Sequence, residues 1–339
     1  MKEKKRQSWA FIFTTGSLLL TVVLVIAVFQ VYLKSVDREK DEQIYDKYYV
    51  MIVEDYRSDF WQEVYNSVYE AGLEKNAYVD LLGDNLSKNY DQYELMEIAV
   101  YSKVDGIIVE ADESQQMTDL INLAVESGIP VITLYGDNTN SRRSSYVGIG
   151  NYDVGREYGR QVLEIAGKNA KKVAVLVSAQ AGDSSQNIVW SGIQETISQE
   201  NKQGASIELT LTAVDDSSTF TVEESIRDLF MQDTLPDIII CLNEVNTTCV
   251  YQAVIDYNKV SDIDILGYYD NDTILKGIDR NVITATITVD TQQMGRYCID
   301  ALTEYEQYGN TNEYFMADIT LINKKNVVDF MGGETDDQK

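Results

Sequence analysis

From residue 48 onward the apolar positions follow two alternating patterns. Runs that are apolar on both faces and rich in β-branched residues occur at 48–53 (YYVMIV), 77–83 (AYVDLLG), 106–110 (GIIVE) and 130–134 (PVITL). Between them, at 60–75, 89–102 and 114–127, apolar residues recur at helical spacing. The alternation then repeats. Runs at 172–178 (KVAVLVS), 206–214 (SIELTLTAV), 237–241 (DIIIC), 264–269 (DILGYY) and 284–288 (TATIT) are predicted strands. Helices are predicted at 186–199, 221–232, 244–257, in a short segment after 269, and at 291–309, with a last strand at 314–321. Strands apolar on both faces need cover on both faces, as in a parallel sheet flanked by helices. Strand–helix alternation in two sets therefore predicts an α/β chain of two doubly wound, Rossmann-like lobes.

The N-terminal 47 residues follow a different pattern. Lys2, Lys4, Lys5 and Arg6 precede an unbroken apolar run from residue 9 to 33. As a helix such a run spans about 37 Å, enough to cross a hydrocarbon core of about 30 Å. Trp9 and Tyr32 lie near its ends, where interfacial aromatics are favoured. The expected organisation is a basic cytoplasmic tail (1–8), one transmembrane signal-anchor helix (9–33) and a charged stalk (34–47), with the remainder extracytoplasmic. A cleaved signal peptide is the rival reading. The run is long for its apolar region, no clear small-residue cleavage site follows, and no Cys before Cys241 offers a lipidation site. Residues 331–339 are expected to be a tail.

Charge narrows the partners. The 339-residue chain carries a net charge of −27. Residues 1–40 hold seven Lys/Arg against three Asp/Glu, so the rest is more acidic still. Such a body repels nucleic-acid phosphates and anionic lipid surfaces. Cys241, Cys249 and Cys298 sit in apolar patterns and read as free thiols, not a disulfide framework. With no His in the chain, the commonest general base and metal ligand are missing. There is no nucleophile elbow, P-loop or Cys-rich metal motif, and Gly148-x-Gly150 lacks the rest of a dinucleotide fingerprint. An enzyme is not expected, nor a cofactor or metal.

In open parallel sheets ligands bind beyond the carboxyl ends of the strands. Reading off the residues just past each strand gives Glu54, Asp55 and Tyr56, then Glu110 and Asp112, then Tyr135, Gly136 and Asp137. In the second set follow the loop 178–183, Asn243, Glu244, Tyr269 and Asp270. Aromatic rings stack on the apolar faces of sugars and other flat ligands, while carboxylates and amides take hydroxyl or amine donors. Each loop Asp or Asn could equally be a helix cap, and Asp59 is expected to be one. Phe60 and Trp61 suit a ligand wall or a core position.

The motifs VMIVEDYRSDFWQEV, VDGIIVE, SGIPVITLYGDN, NYDVGREYG, PDIIICLNE, IDILGYYDN and ITATITVDTQQMG stand in this order along the chain. Together, over about residues 48–328, they resemble the type I periplasmic binding proteins. This ribose- and galactose-binding group shares its fold with the ligand domains of lactose-repressor-like regulators. The resemblance implies three crossings between the lobes, near Asn151, Val289–Asp290 and residues 316–319. The N-lobe would then be 48–150 with 290–317, and the C-lobe 151–289 with 318–330. It matches Phe60 and Trp61 to the paired aromatics that clamp the sugar, and Asn243 to the site Asn. Elsewhere the sequence departs from the pattern. Tyr135-Gly136 replaces Asp-Arg, Asn187 stands at an Arg position, and Tyr269 replaces an Asp, with Asp270 next. Val289 replaces a Gln, followed by Asp290. Losing both Arg while keeping many acids suggests a neutral or cationic ligand, such as a modified sugar. The implied role is an extracytoplasmic solute-binding protein that hands a sugar-like ligand to an ABC permease. The alternative is a membrane-tethered sensor signalling to a partner such as a histidine kinase.

Overall fold

A computed structural model describes residues 44–84, 86, 88–179 and 184–331. The expected basic tail and transmembrane helix, the stalk up to residue 43 and the C-terminal tail after residue 331 lie outside the described residues. So does most of the 178–183 loop. Among the described residues no helix is long and apolar enough to cross a membrane. The chain divides after Asp46, and the architecture below is that of the unit beginning at Lys47.

Twelve strands of this unit form two six-stranded sheets. The first contains β1 (Lys47–Ile52), β2 (Ala77–Leu81), β3 (Gly106–Val109), β4 (Val131–Leu134), β5 (Ser145–Ile149) and β11 (Tyr314–Ala317). Its order is β11-β5-β4-β3-β1-β2, parallel throughout. The second contains β6 (Lys171–Ser178), β7 (Ile207–Val214), β8 (Ile238–Cys241), β9 (Asp264–Tyr268), β10 (Ala285–Val289) and β12 (Ile319–Asn323). Its order, β12-β10-β9-β8-β6-β7, repeats that of the first, with β12 antiparallel to β10. Central strands are short and wholly buried, as in GIIV, VITL and IIIC. Helices cover both faces, which is why no polar alternation survives in these runs.

The helices are α1 (Asp59–Glu74), α2 (Gln92–Ser102), α3 (Gln115–Glu126), α4 (Asn151–Ala166), α5 (Ser184–Glu200), α6 (Thr219–Phe230), α7 (Glu244–Asp256), α8 (Asp272–Asp279), α9 (Thr291–Tyr308) and α10 (Val327–Phe330). In α1, Phe60, Val64, Val68 and Ala71 form one buried stripe at helical spacing. In α9, Met294, Cys298, Ile299 and Leu302 do the same. Gly295 lets the two helices meet closely, since a Cβ there would lie 2.4 Å from the Ser67 carbonyl carbon. Tyr158 of α4 is buried and donates its hydroxyl to the carbonyls of Cys241 (3.1 Å) and Gly267 (2.9 Å), fixing that helix on the second sheet.

The chain passes between the sheets at Gly150, Asp290 and Asp318. The last two passes are bonded together. The Asp290 N–H donates to the Asp318 carbonyl (3.0 Å), and the Asp318 N–H donates to Gln293 Oε1 (2.6 Å).

Several sequence expectations change. Ser58, not Asp59, caps α1, its Oγ accepting the Trp61 N–H, while Asp59 opens the helix and favours its positive end. The single strand expected at 314–321 is two strands in different sheets, parted at Asp318. Strand β5, the helix α4 that follows it and the one-turn α10 have no counterpart among the elements expected from the sequence. Cys241 and Cys298 are buried free thiols and Cys249 is half-buried and free.

Candidate functional site

The two sheets reverse their strand order at equivalent places, beside β1 and β3 in one and β6 and β8 in the other. The carboxyl ends there are where ligands sit in such folds. The expected site residues divide into those that meet across the two lobes and those held within one.

Four of them meet. Phe60 and Trp61, in the first turn of α1, contact each other with ring centroids 5.0 Å apart. Tyr135, just past β4, packs 5.4 Å from Phe60 and 5.8 Å from Trp61. Tyr269, just past β9 in the other lobe, stands edge-on to Phe60 at 5.4 Å. Tyr268 joins them at 6.5 Å from Phe60. Phe60, Trp61, Tyr268 and Tyr269 are all buried.

Tyr135 and Tyr269 occupy corresponding positions in the two lobes, and both have left-handed backbones, with φ of 64° and 75°. A bulky residue there costs roughly 1–2 kcal/mol. Each is pinned by a 2.8 Å bond from its N–H, Tyr135 to the Val147 carbonyl and Tyr269 to the Ile287 carbonyl. Their carbonyls accept from Tyr146 Oη (3.0 Å) and Thr286 Oγ1 (2.7 Å). The strain is thus held by sheet bonds, and it turns both rings toward α1.

Two carboxylates bridge the lobes. Glu63, one turn beyond Phe60, accepts the Tyr269 hydroxyl on one oxygen and the Thr291 hydroxyl (2.7 Å) on the other. Glu244, at the start of α7, accepts the Phe60 N–H (3.3 Å) and the Asn271 side-chain amide (2.7 Å). Glu63 and Tyr268 were not anticipated from the sequence. Glu63 lies three residues after Phe60, on the same helix face, and that spacing could have revealed it.

The remaining candidates are held locally. Asn243 caps α7 by accepting the Asn246 N–H (2.8 Å), and Asp290 caps α9 by accepting that of Gln293 (2.7 Å). Asp137 is taken up by Arg143 Nη2 (2.8 Å) and Thr133 Oγ1 (2.7 Å). Asp270 accepts Thr288 Oγ1 (2.6 Å). Glu110 accepts the Glu54 N–H (3.0 Å), and Asp112 accepts the Ser114 N–H (2.9 Å). Asp55 is exposed at the turn before α1, where its carbonyl takes the Ser58 N–H. Tyr56 packs against the core under Arg57. Asn187 is exposed on α5. A surface groove of about 410 Å³ along α2, lined by Tyr90, Glu94, Ile98 and Tyr101 among others, contains none of these residues.

Burial raises the carboxyl pKa of Glu54, Glu244 and Asp270, and like charges add to it. For Glu54 these include Asp216 of the other lobe, and for Asp270 they include Glu63. The folded chain therefore holds more protons than the unfolded chain between the ordinary carboxyl range near ~4 and the raised values. In that window stability falls as pH rises. The melting temperature is expected to increase as pH is lowered from neutral toward the ordinary carboxyl range. Calorimetry showing it fall over that interval would contradict this electrostatic picture.

This is a two-lobed α/β protein whose lobes meet at a cluster of aromatic rings. The chain belongs to the family of the periplasmic binding protein domain, whose model matches residues 49–311. Among solved structures it is similar to GanP, a glucose-galactose binding protein from Geobacillus stearothermophilus. The identity is 20%, the TM-score 0.74, and 83% of this chain and 98% of that one are covered. It is similar also to a chain of the XylFII-LytSN complex, at 24% identity and a TM-score of 0.70, covering 82% and 98%. A third is a solute-binding protein of an ABC transporter from Burkholderia graminis in complex with D-arabinose, at 18% identity and a TM-score of 0.73, covering 86% and 99%. At these identities the likeness establishes the shared fold. The comparison with curated proteins gives no match.

Proposed function

We propose that this protein is an extracytoplasmic solute receptor, not an enzyme, that closes its two lobes around a small sugar-like ligand. In this reading residues 48–150 with 290–317 and residues 151–289 with 318–330 move as two bodies about the three passes. The apolar run 9–33 tethers it to the cell membrane as a single-pass anchor, with the lobes outside. The observation that carries the reading is the convergence of Phe60, Trp61 and Tyr135 from one lobe with Tyr268 and Tyr269 from the other. Flat apolar ring faces beside carboxylate acceptors suit a polyhydroxylated ring. The receptors of sugars that share this fold support the same ligand class.

A ligand at a hundred times its Kd stabilises a receptor by about 2.7 kcal/mol. A thermal-shift screen of the full-length chain against sugars, polyols and amines should therefore find a compound that raises the melting point by several degrees. Trp61→Ala should abolish that rise. A shift that persists in the variant would place the ligand elsewhere.

Delivery to an ABC permease is the first role. A second, a sensor that presents its closed form to a membrane kinase, is favoured by the expected tether and by the occurrence of this fold in the XylFII-LytSN complex. Affinity capture from membranes separates the two: transporter subunits would end the sensor reading, and a kinase the importer reading.

A further inference from the structure

Among the described residues the interlobe cluster brings carboxylates, and no Lys or Arg, to its aromatic rings. Bases do occur in loops that follow the strands of the first lobe, but each is directed elsewhere. Arg143 pairs with Asp137 and lies over the Tyr314 ring, Arg142 pairs with Glu126, Lys88 pairs with Glu94, and Arg57 stacks on Tyr56. The acids face the cluster. Glu63 and Glu244 each bond a group of the opposite lobe within it.

Three features extend this beyond a count of charges. Phe60, Trp61, Tyr135 and Tyr269 form a ring cluster, and two of the four are kept there by left-handed backbones. The Tyr269 hydroxyl donates to the Glu63 carboxylate, which pushes electron density into the ring and makes its face more negative. The Tyr268 hydroxyl, on a side chain only 4% exposed, lies near Tyr135 but outside hydrogen-bond geometry, and has no partner among the described residues. A buried hydroxyl of this kind offers an acceptor to a donor brought from outside. Negative ring faces, carboxylates and an open acceptor together recognise an organic ammonium. Among the described residues no group of three acidic or thiol side chains converges as a metal site would require.

We propose that the ligand of this site is a small hydroxylated organic cation, of the amino-sugar or amino-alcohol class. Its ammonium lies against the rings of Phe60, Trp61, Tyr135 and Tyr269, with Glu63 and Glu244 as countercharges. This deepens the receptor reading above and rests on it.

The test is isothermal titration of the full-length protein in detergent with D-glucosamine, D-glucose and choline, at low and high salt. D-glucosamine and D-glucose match in shape and differ in charge. D-glucosamine is expected to bind at least tenfold tighter than D-glucose, with affinity falling as salt rises. Glu244→Gln, checked for folding by circular dichroism, should erase the difference. Choline binding without glucosamine would also uphold the cation and replace the sugar ring by an amino alcohol. Equal or tighter binding of D-glucose would overturn this inference and leave the receptor reading standing. No binding by any of the three, with other neutral sugars also silent, would overturn both. If Glu244→Gln does not fold, the glucosamine-to-glucose ratio and its salt dependence in the unaltered protein decide.

Discussion

Gly295→Ala is expected to lower the melting temperature by about 6 °C or more, corresponding to a loss of about 3 kcal/mol. In an isolated helix the same change would be favourable by up to about 1 kcal/mol. Here the new methyl would lie 2.4 Å from the Ser67 carbonyl carbon and 2.6 Å from the Val68 nitrogen, both backbone atoms of α1. Side chains can turn away from an intruding methyl, but a helix backbone can only move as a body. The crossing of α1 and α9 must therefore open, and α1 carries Phe60 and Trp61 at its N-terminus. The variant should lose ligand response along with stability. Gln292→Ala, on the exposed side of the same helix, should stay within about 0.5 kcal/mol. Denaturant unfolding of the two variants checks this, and equal midpoints would show that the crossing is looser than described. Gly155 marks the matching contact in the second lobe, where a Cβ would lie 2.1 Å from the Val189 carbonyl oxygen.

How far the sequence revealed this arrangement depends on how local each signal is. GIIV, VITL and IIIC are legible because a strand buried on both faces has no polar alternation to confuse it. Strand β5 was hidden because its SYVGI segment is short, contains a Gly and begins with a buried Ser that reads as a loop residue. β11 and β12 read as one strand because YFMADITLI is continuous to the eye. Only the tertiary pairing of Ala317 with Ile149 and of Ile319 with Val289 separates them.

The site follows the same division. Tyr135 and Tyr269 stand out as candidates because they lie directly past apolar strands, and Phe60 and Trp61 because two large rings open a helix. Their left-handed backbones carry no such mark, since neither position is Gly or Asn. Which carboxylates cross between lobes is not a local property. Asp137 sits in an equally promising place but is claimed by Arg143, six residues on, whereas Glu63 sits mid-helix and reaches Tyr269. Sequence position identified the strand ends, and the partners available in space decided which acids were left to face the cluster.

Phe60→Ala is expected to separate closure from stability. In a closed core, losing a buried Phe costs about 3–5 kcal/mol, part of it for the void left behind. The Phe60 ring touches Trp61 and Tyr135 on its own lobe and Tyr268 and Tyr269 on the other. An interlobe void can be relieved by opening, which admits water and leaves each sheet intact. Global unfolding should therefore lose less than the core value, while the closed arrangement loses contacts that only closure provides. A shift of about 3 kcal/mol in the closing equilibrium corresponds to roughly 150-fold in ligand affinity. The Glu244 bond survives in the variant, because it is made to the Phe60 backbone N–H, so the effect isolates the ring. Phe60→Leu, which keeps an apolar body but no ring face, should fall between the two. Small-angle scattering of the variant should show a larger radius of gyration than the parent, with titration showing the matching loss of affinity. A variant that unfolds as a Phe→Ala core mutant does, with unchanged dimensions below its midpoint, would mean that this ring belongs to a static core and that the lobes do not close upon it.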